Sequence, residues 1–343
     1  MEQKAVEQTP RQPTPTGALR FNTDSMMMEY YQGTQWVNVT GDTANEHTGG
    51  TRGLTMGGMT PTYVNTIQYF NISTTGNAAD FGDLQFKTTT AGACASRTRG
   101  IYAGGEGSPA QVNTINYVTI SQLGDAIDFG DIYSGSNAHA YGCTSDKTRG
   151  VLMGGWLSPA KRNTIEYITI AATGNTVDFG DLTVARDSNP ACASPTRAVS
   201  FGGNSPGSST VIDFFQIQTL GNAADFGDLT TASDNGGASS NAIRGLHQGG
   251  EFPGAAGNII DYITFATTGN AKDFGDLVQK CFGNGGGAAS PTRGVSAGGF
   301  TPSLTNVIQS VEFATTANAV DFGNLTTATG YCATASNGHG GLG

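Results

Sequence analysis

The sequence predicts an all-β protein in which six similar units of four-stranded antiparallel sheet follow a short N-terminal module. Three observations predict it. The stretch Asp-Phe-Gly-Asp-Leu begins at Asp80, Asp128, Asp178, Asp225 and Asp273, and returns as Asp-Phe-Gly-Asn-Leu at Asp321. A second marker keeps the same beat: Arg52, Arg99, Arg149, Arg197, Arg244 and Arg293 each stand five residues before a Gly-Gly pair. A period near 50 residues is the mark of a solenoid or a closed ring of sheets. Finally, the 51 glycines are spaced by the repeat rather than clustered, and no segment shows a 3.6-residue apolar period, which argues for many tight turns and against helix.

In chain order, residues 1–18 read as an extended, flexible N-terminal arm: Glu2 to Thr16 holds three prolines and three glutamines and almost nothing apolar, too little to bury. Residues 19–42 read as a small β-meander. Leu19-Arg-Phe-Asn, Met26-Met-Met-Glu-Tyr-Tyr and Gln35-Trp-Val-Asn-Val are short apolar or alternating runs separated by the turn clusters at Asp24-Ser25 and Gln32-Gly33-Thr34. Such a piece is too small to stand alone. Its Phe21, Met27, Tyr30, Tyr31 and Trp36 are expected to dock on a neighbour.

Residues 43–343 carry the repeat. In each unit a strand of tiny residues (Ala191-Cys-Ala-Ser) comes first, then a turn and a second strand from the repeat arginine to Gly-Gly. After a variable loop comes a β-branched and aromatic third strand (Asn163 to Ile170), then a Thr-Gly-Asn turn and the Asp-Phe-Gly-Asp strand. Tight Gly/Asn turns join antiparallel neighbours. The third strand is apolar on both faces, as expected of a sheet packed between two others. The first unit begins at Arg52 with no small-residue strand before it, while Tyr331–Ser336 is an orphan strand after the sixth unit. The far end of the chain is therefore expected to supply the first strand of the first sheet and remove two exposed edges.

Four strands per unit, with Gly-Gly after the second, resemble a Kelch-type β-propeller. The resemblance spans about 290 residues, from the first repeat onward, and implies a six-bladed β-propeller of four-stranded antiparallel blades. The chain departs from the Kelch pattern where the Phe of Asp-Phe-Gly-Asp replaces a late tryptophan. The run Gly17-Ala-Leu-Arg-Phe-Asn-Thr-Asp…Glu29-Tyr-Tyr-Gln-Gly-Thr-Gln-Trp36 is similar to a short module of bacteriophage tail-fibre and other virion proteins.

Composition narrows the function. A formal net charge of −10 disfavours non-specific nucleic-acid binding. No stretch is long and apolar enough to span a bilayer, and Met-Glu-Gln-Lys has no apolar run behind it to make a signal peptide. The five cysteines read as small buried thiols rather than a disulfide framework. His47, His139, His247 and His339 form no short-spaced ligand pattern, so no metal or cofactor is expected. Asp at i and i+3 in the repeat lacks the alternation of a calcium loop. Instead, one Asp is expected to cap a turn and the other to pair with a repeat arginine. No catalytic constellation is found, and no enzymatic activity is expected.

Variation is concentrated in the loops after Gly-Gly and in those entering the next unit's first strand. Both sets should emerge on one face, and Met59, Tyr63, Tyr133, Trp156, Lys161, Arg162, Phe252 and Phe300 stand there as candidate binding residues on prolyl-stiffened loops. Together these features point to a structural protein of a tailed-phage virion: tail fibre, tail-associated protein or capsid appendage, assembled in the host cytoplasm as an oligomer. The N-terminus would dock to other virion proteins, and the loop face would meet a host-surface glycan or protein. The alternatives are an intracellular Kelch-type interaction scaffold and a carbohydrate-active enzyme.

Overall fold

A computed structural model describes residues 14–22, 27–38, 50–107, 112–133, 138–253 and 255–343 of the chain. The chain divides into two compact units, Met1–His47 and Thr48–Gly343. Most of the expected arm lies outside the described residues, as do Met26 and the side chain of Met27.

The first unit is a three-stranded antiparallel meander of Leu19–Asn22, Met27–Tyr31 and Trp36–Asn38. Leu19 faces Tyr30, which faces Val37, so strand alternation puts these three and Phe21 on one side of the sheet. The other side carries Arg20, whose Nε donates to Glu29 Oε2 at 2.7 Å and whose guanidinium lies 4.2 Å from the Trp36 ring centre. Charge is thus neutralised on one face, while Leu19 and Phe21 remain more than half exposed on the other.

The second unit contains six four-stranded antiparallel sheets. Five are contiguous in sequence; Gly142–Ser145, Arg149–Met153, Thr164–Thr169 and Val177–Asp181 form one of them. The first sheet, Arg52–Met56, Thr66–Asn71 and Ala79–Asp83, takes its remaining strand from Ala333–Ser336, with Ala335 opposite Leu54. The small-residue strand of each sheet lies beside those of the sheets before and after it, and Ala333–Ser336 lies beside both Gly285–Ala289 and Gly92–Ala95. Alanine, glycine, serine, cysteine and two threonines, Thr144 and Thr334, are what such close approach admits.

The repeat motifs follow from packing. Both residues of each Gly-Gly pair that follows a repeat arginine have positive φ (Gly154 70°, Gly155 96°), a backbone that a side chain would strain. The Phe of each Asp-Phe-Gly is buried at 2–3% exposure. Five of these rings meet an aromatic of the third strand, as Phe179 meets Tyr167 edge-on at 6.0 Å. The Gly of the same motif presses on the next sheet: a Cβ on Gly130 would fall 2.4 Å from the Gly174 carbonyl oxygen. The amide after it is held by that sheet's turn, as Asp131 N donates to Asn175 Oδ1 at 2.9 Å.

The expected pairing of repeat arginines with motif aspartates is not what forms. The first Asp of every motif is solvent-exposed. Each repeat arginine instead reaches a backbone carbonyl of the following sheet: Arg52 to Ile120, Arg99 to Ile170, Arg149 to Ile217, Arg197 to Phe265, Arg244 to Phe313 and Arg293 to Ile72. Five stack on the aromatic of their own third strand, Arg149 at 4.9 Å from the Tyr167 centre. In the sixth sheet Ser310 occupies that aromatic position, and Arg293 lies over Phe322 at 5.8 Å while bonding Glu312. A carbonyl dipole and a ring face satisfy the guanidinium without burying a carboxylate.

A buried polar residue on every third strand adds a further tie between sheets. Gln68, Asn116, Glu166, Asp213, Asp261 and Gln309 are at most 5% exposed. Five accept directly from the preceding sheet, as Asp261 does from Thr230 N at 2.9 Å, while Glu166 is reached through Thr176. Asp213 also meets Arg186, 1% exposed, at 3.0 Å.

Candidate functional site

The two variable loop sets meet on one face by direct pairing. The loop leaving each second strand bonds the loop entering the first strand of the same sheet. Glu106–Gly107 pairs with Thr88–Thr89, and Trp156–Leu157 with Ala138–His139. Single bridges join Asp187 to Asn204, Asp234 to Glu251, Phe282 to Phe300, and Met59 to Gly330. Three of the former loops fold back as two-residue hairpins, among them Trp156–Leu157 with Ala160–Lys161.

Beneath these flaps, six residues close a ring of backbone hydrogen bonds. Thr90 N donates to Tyr331 O, Tyr331 N to Gly283 O, Gly283 N to Asn235 O, Asn235 N to Ser188 O, Ser188 N to Ala140 O, and Ala140 N to Thr90 O, at 2.6–3.1 Å. All six have φ between 53° and 60°. Five are not glycine, and left-handed backbone costs such residues about 1 kcal/mol or more each. The ring offsets that cost by satisfying six amides at once. It encircles the mouth of a cavity of about 90 Å³ lined by Thr90, Tyr141, Ser188, Asn235, Asn284 and Tyr331, among others.

Met59 and Tyr63 bridge each other, and the Tyr63 hydroxyl bonds Glu106, which together with burial raises the phenol pKa. Trp156 lies opposite Lys161 in its hairpin, half-buried. Lys161 is neutralised: its Nζ donates to Asn204 O at 2.8 Å and lies 3.5 Å from Asp187 Oδ1. Arg162 bonds Thr164 Oγ1 at 3.4 Å. Phe252 covers the backbone of Gly257, where a Cβ would collide with its ring. Phe300 is linked to the mouth through two further rings. It stacks 5.3 Å from Phe282, which lies 6.0 Å from Tyr331. Tyr133, 76% exposed, stands at the outer end of the second sheet, its amide on Thr176.

Tyr331 and Phe282 complete an aromatic trio with Phe300 that the loop reading did not assemble. Tyr331 belonged to the expected orphan strand, but its positive φ turns it out of the sheet and into the ring. Burial, then Glu251 and Asp234, raise its phenol pKa. Asp234 itself is raised by burial, against which the Ser208 and Asn235 hydrogen bonds work. Among the described residues, no group of three or more His, Cys, Asp or Glu could hold a metal ion.

In the first unit, Phe21 and Tyr30 stand on the exposed apolar face, whereas Tyr31 and Trp36 pack together at 5.3 Å on the other. No family model matches the chain, and no curated protein matches it.

Proposed function

We propose that Thr48–Gly343 is a six-bladed β-propeller and that the chain is a structural protein of a tailed-phage virion, docked by its N-terminal unit with the loop face turned outward. One observation carries the architecture. The contacts from sheet to sheet recur at the seam between the sixth and the first, where Arg293 bonds Ile72 O and Asn324 N bonds Asn77 Oδ1. The similarity of the Gly17–Trp36 run to phage-fibre modules supports the virion reading. So does the charge-free apolar face formed by Leu19, Phe21, Tyr30 and Val37, which a partner virion protein would bury; each such side chain is worth about 1.5–3 kcal/mol when fully covered. The docking set also includes Met27, Tyr31 and Trp36, of which Tyr31 and Trp36 would contribute from the opposite face of the meander.

On the loop face, Tyr331 at the mouth, the half-buried Phe282 and Phe300 beside it, and Trp156 on its hairpin are the contacts we assign to a host-surface glycan or protein. Aromatics held rigidly at a concave site lose little entropy on binding. With Lys161 paired to Asp187 and a net charge of −10, the face favours a neutral ligand over an anionic one. Adsorption of particles carrying Phe300→Ala together with Trp156→Ala tests this reading. A fall of at least tenfold at unchanged occupancy of the chain supports it, and unchanged adsorption reduces the aromatics to packing.

A further inference from the structure

The cavity at the ring mouth is the first of three stacked along the small-residue strands. The second, about 100 Å³, shares Tyr141, Asn284 and Cys332 with it. The third, about 20 Å³, shares Ala93, Cys143 and Ala191 with the second, and ends on His339. There the segment His339–Gly343 closes the column. His339 is the N-cap of the 3-10 turn Gly340–Leu342. Its Nε2 donates to Ala95 O at 2.8 Å, and its Nδ1 accepts from Gly341 N at 3.2 Å, which together fix the neutral tautomer. A Cβ on Gly340 would strike the carbonyls of Asn241 and Ala193, and one on Gly341 that of Ser145. The segment thus sits against three sheets at once. Arg97 Nη2 holds its outer end through Leu342 O and Gly343 O.

We propose that His339–Gly343 is a proton-released plug of this column. Protonation of His339 turns Nδ1 from acceptor to donor, aims it at the Gly341 N–H, and removes the cap that holds the turn. Burial, the largest influence, lowers the histidine pKa; the bond to Ala95 O and the charge of Asp146 favour the imidazolium, and Arg97 opposes it. The other sheets packed against the turn present the carbonyls of Ala193 and Asn241. A closed state that binds the proton less well than the open one loses ground as pH falls. Below about 6.5 the closed-to-open ratio should drop about tenfold per pH unit until the closed-state pKa is reached.

The test uses the full chain. Hydrogen exchange of the Gly341 amide, corrected for intrinsic rate, is followed from pH 7.5 to 5. Labelling of Cys94 and Cys192, which line the third cavity, is followed with a dipyridyl disulfide that reacts in acid. Loss of Gly341 protection with labelling of both thiols is expected. His339→Asn, whose side-chain oxygen caps without titrating, should stay closed throughout. Cys281, fully buried and lining none of the three cavities, should stay masked. The proposal is overturned if Gly341 protection does not change with pH, if His339→Asn opens with the same profile, if the thiols stay masked while the turn exchanges, or if Cys281 reacts in step with Cys94.

Discussion

The backbone amide of Asn324 donates to Oδ1 of Asn77 at 3.0 Å, although 247 residues separate them. The same bond joins Asp131 to Asn175 between consecutive sheets in mid-chain. Asn77→Ala and Asn175→Ala should therefore each cost about 1 kcal/mol, the usual net worth of one such bond. Chemical denaturation measures both. If the seam were open in solution, Asn77→Ala would be silent while Asn175→Ala was not.

The repeat arginines and aspartates should separate in a stability assay. Arg149→Ala loses a carbonyl bond of 2.8 Å and the Tyr167 face, and should cost about 2 kcal/mol. Asp178→Ala removes an exposed carboxylate and should fall within about 0.5 kcal/mol of wild type. A double-mutant cycle of the two should show no coupling. Strong coupling would restore the ion pair that the sequence pattern invited.

That invitation marks where sequence reasoning stops. The shared beat of arginine and Asp-Phe-Gly was legible, as were the four strands per repeat and, but for its first two residues, the displaced strand now seen at Ala333–Ser336, because each rests on local pattern or on turn chemistry. Arginine's true acceptor is a backbone carbonyl of the next sheet, and carbonyls leave no trace in a sequence. The third strand was read as apolar on both faces, and the buried polar residue on it was missed, because its role depends on the amide it meets in the preceding sheet. At the loop face, Phe300 could be picked out, but its alignment with Phe282 and Tyr331 follows from six left-handed residues, of which only Gly283 and Asn235 are types that favour that conformation.

The buried carboxylates make opposite contributions. Asp261 has no arginine among its described partners, and burial raises its pKa above the unfolded value of about 3.9. The native state then binds the proton more tightly than the unfolded one, so this residue's contribution to stability falls as pH rises from about 4 through the folded pKa. Asp261→Asn, the residue type already present at Asn116, should raise the melting temperature at pH 7 and flatten that part of the profile. An unchanged profile would show that the Thr230 hydrogen bonds fully offset burial.

Asp213 differs because Arg186 is buried with it. Arg186→Ala leaves the carboxylate without its cation and should cost about 3–5 kcal/mol, with much of the loss recovered by adding Asp213→Asn. Thermal denaturation of the single and double variants checks this. A double variant no more stable than Arg186→Ala would mean that Arg186 acts through packing alone.

Density maps should be compared for tailed-phage particles purified from a host supplied with the full chain and from one supplied with a chain that begins at residue 45. A six-lobed disc should project from the particles with the full chain, its flap-bearing face outward, and no disc should appear with the shortened chain, although that chain still folds. Discs at equal occupancy on both particles, or particles that lack the full-length chain altogether, would contradict the proposed docking.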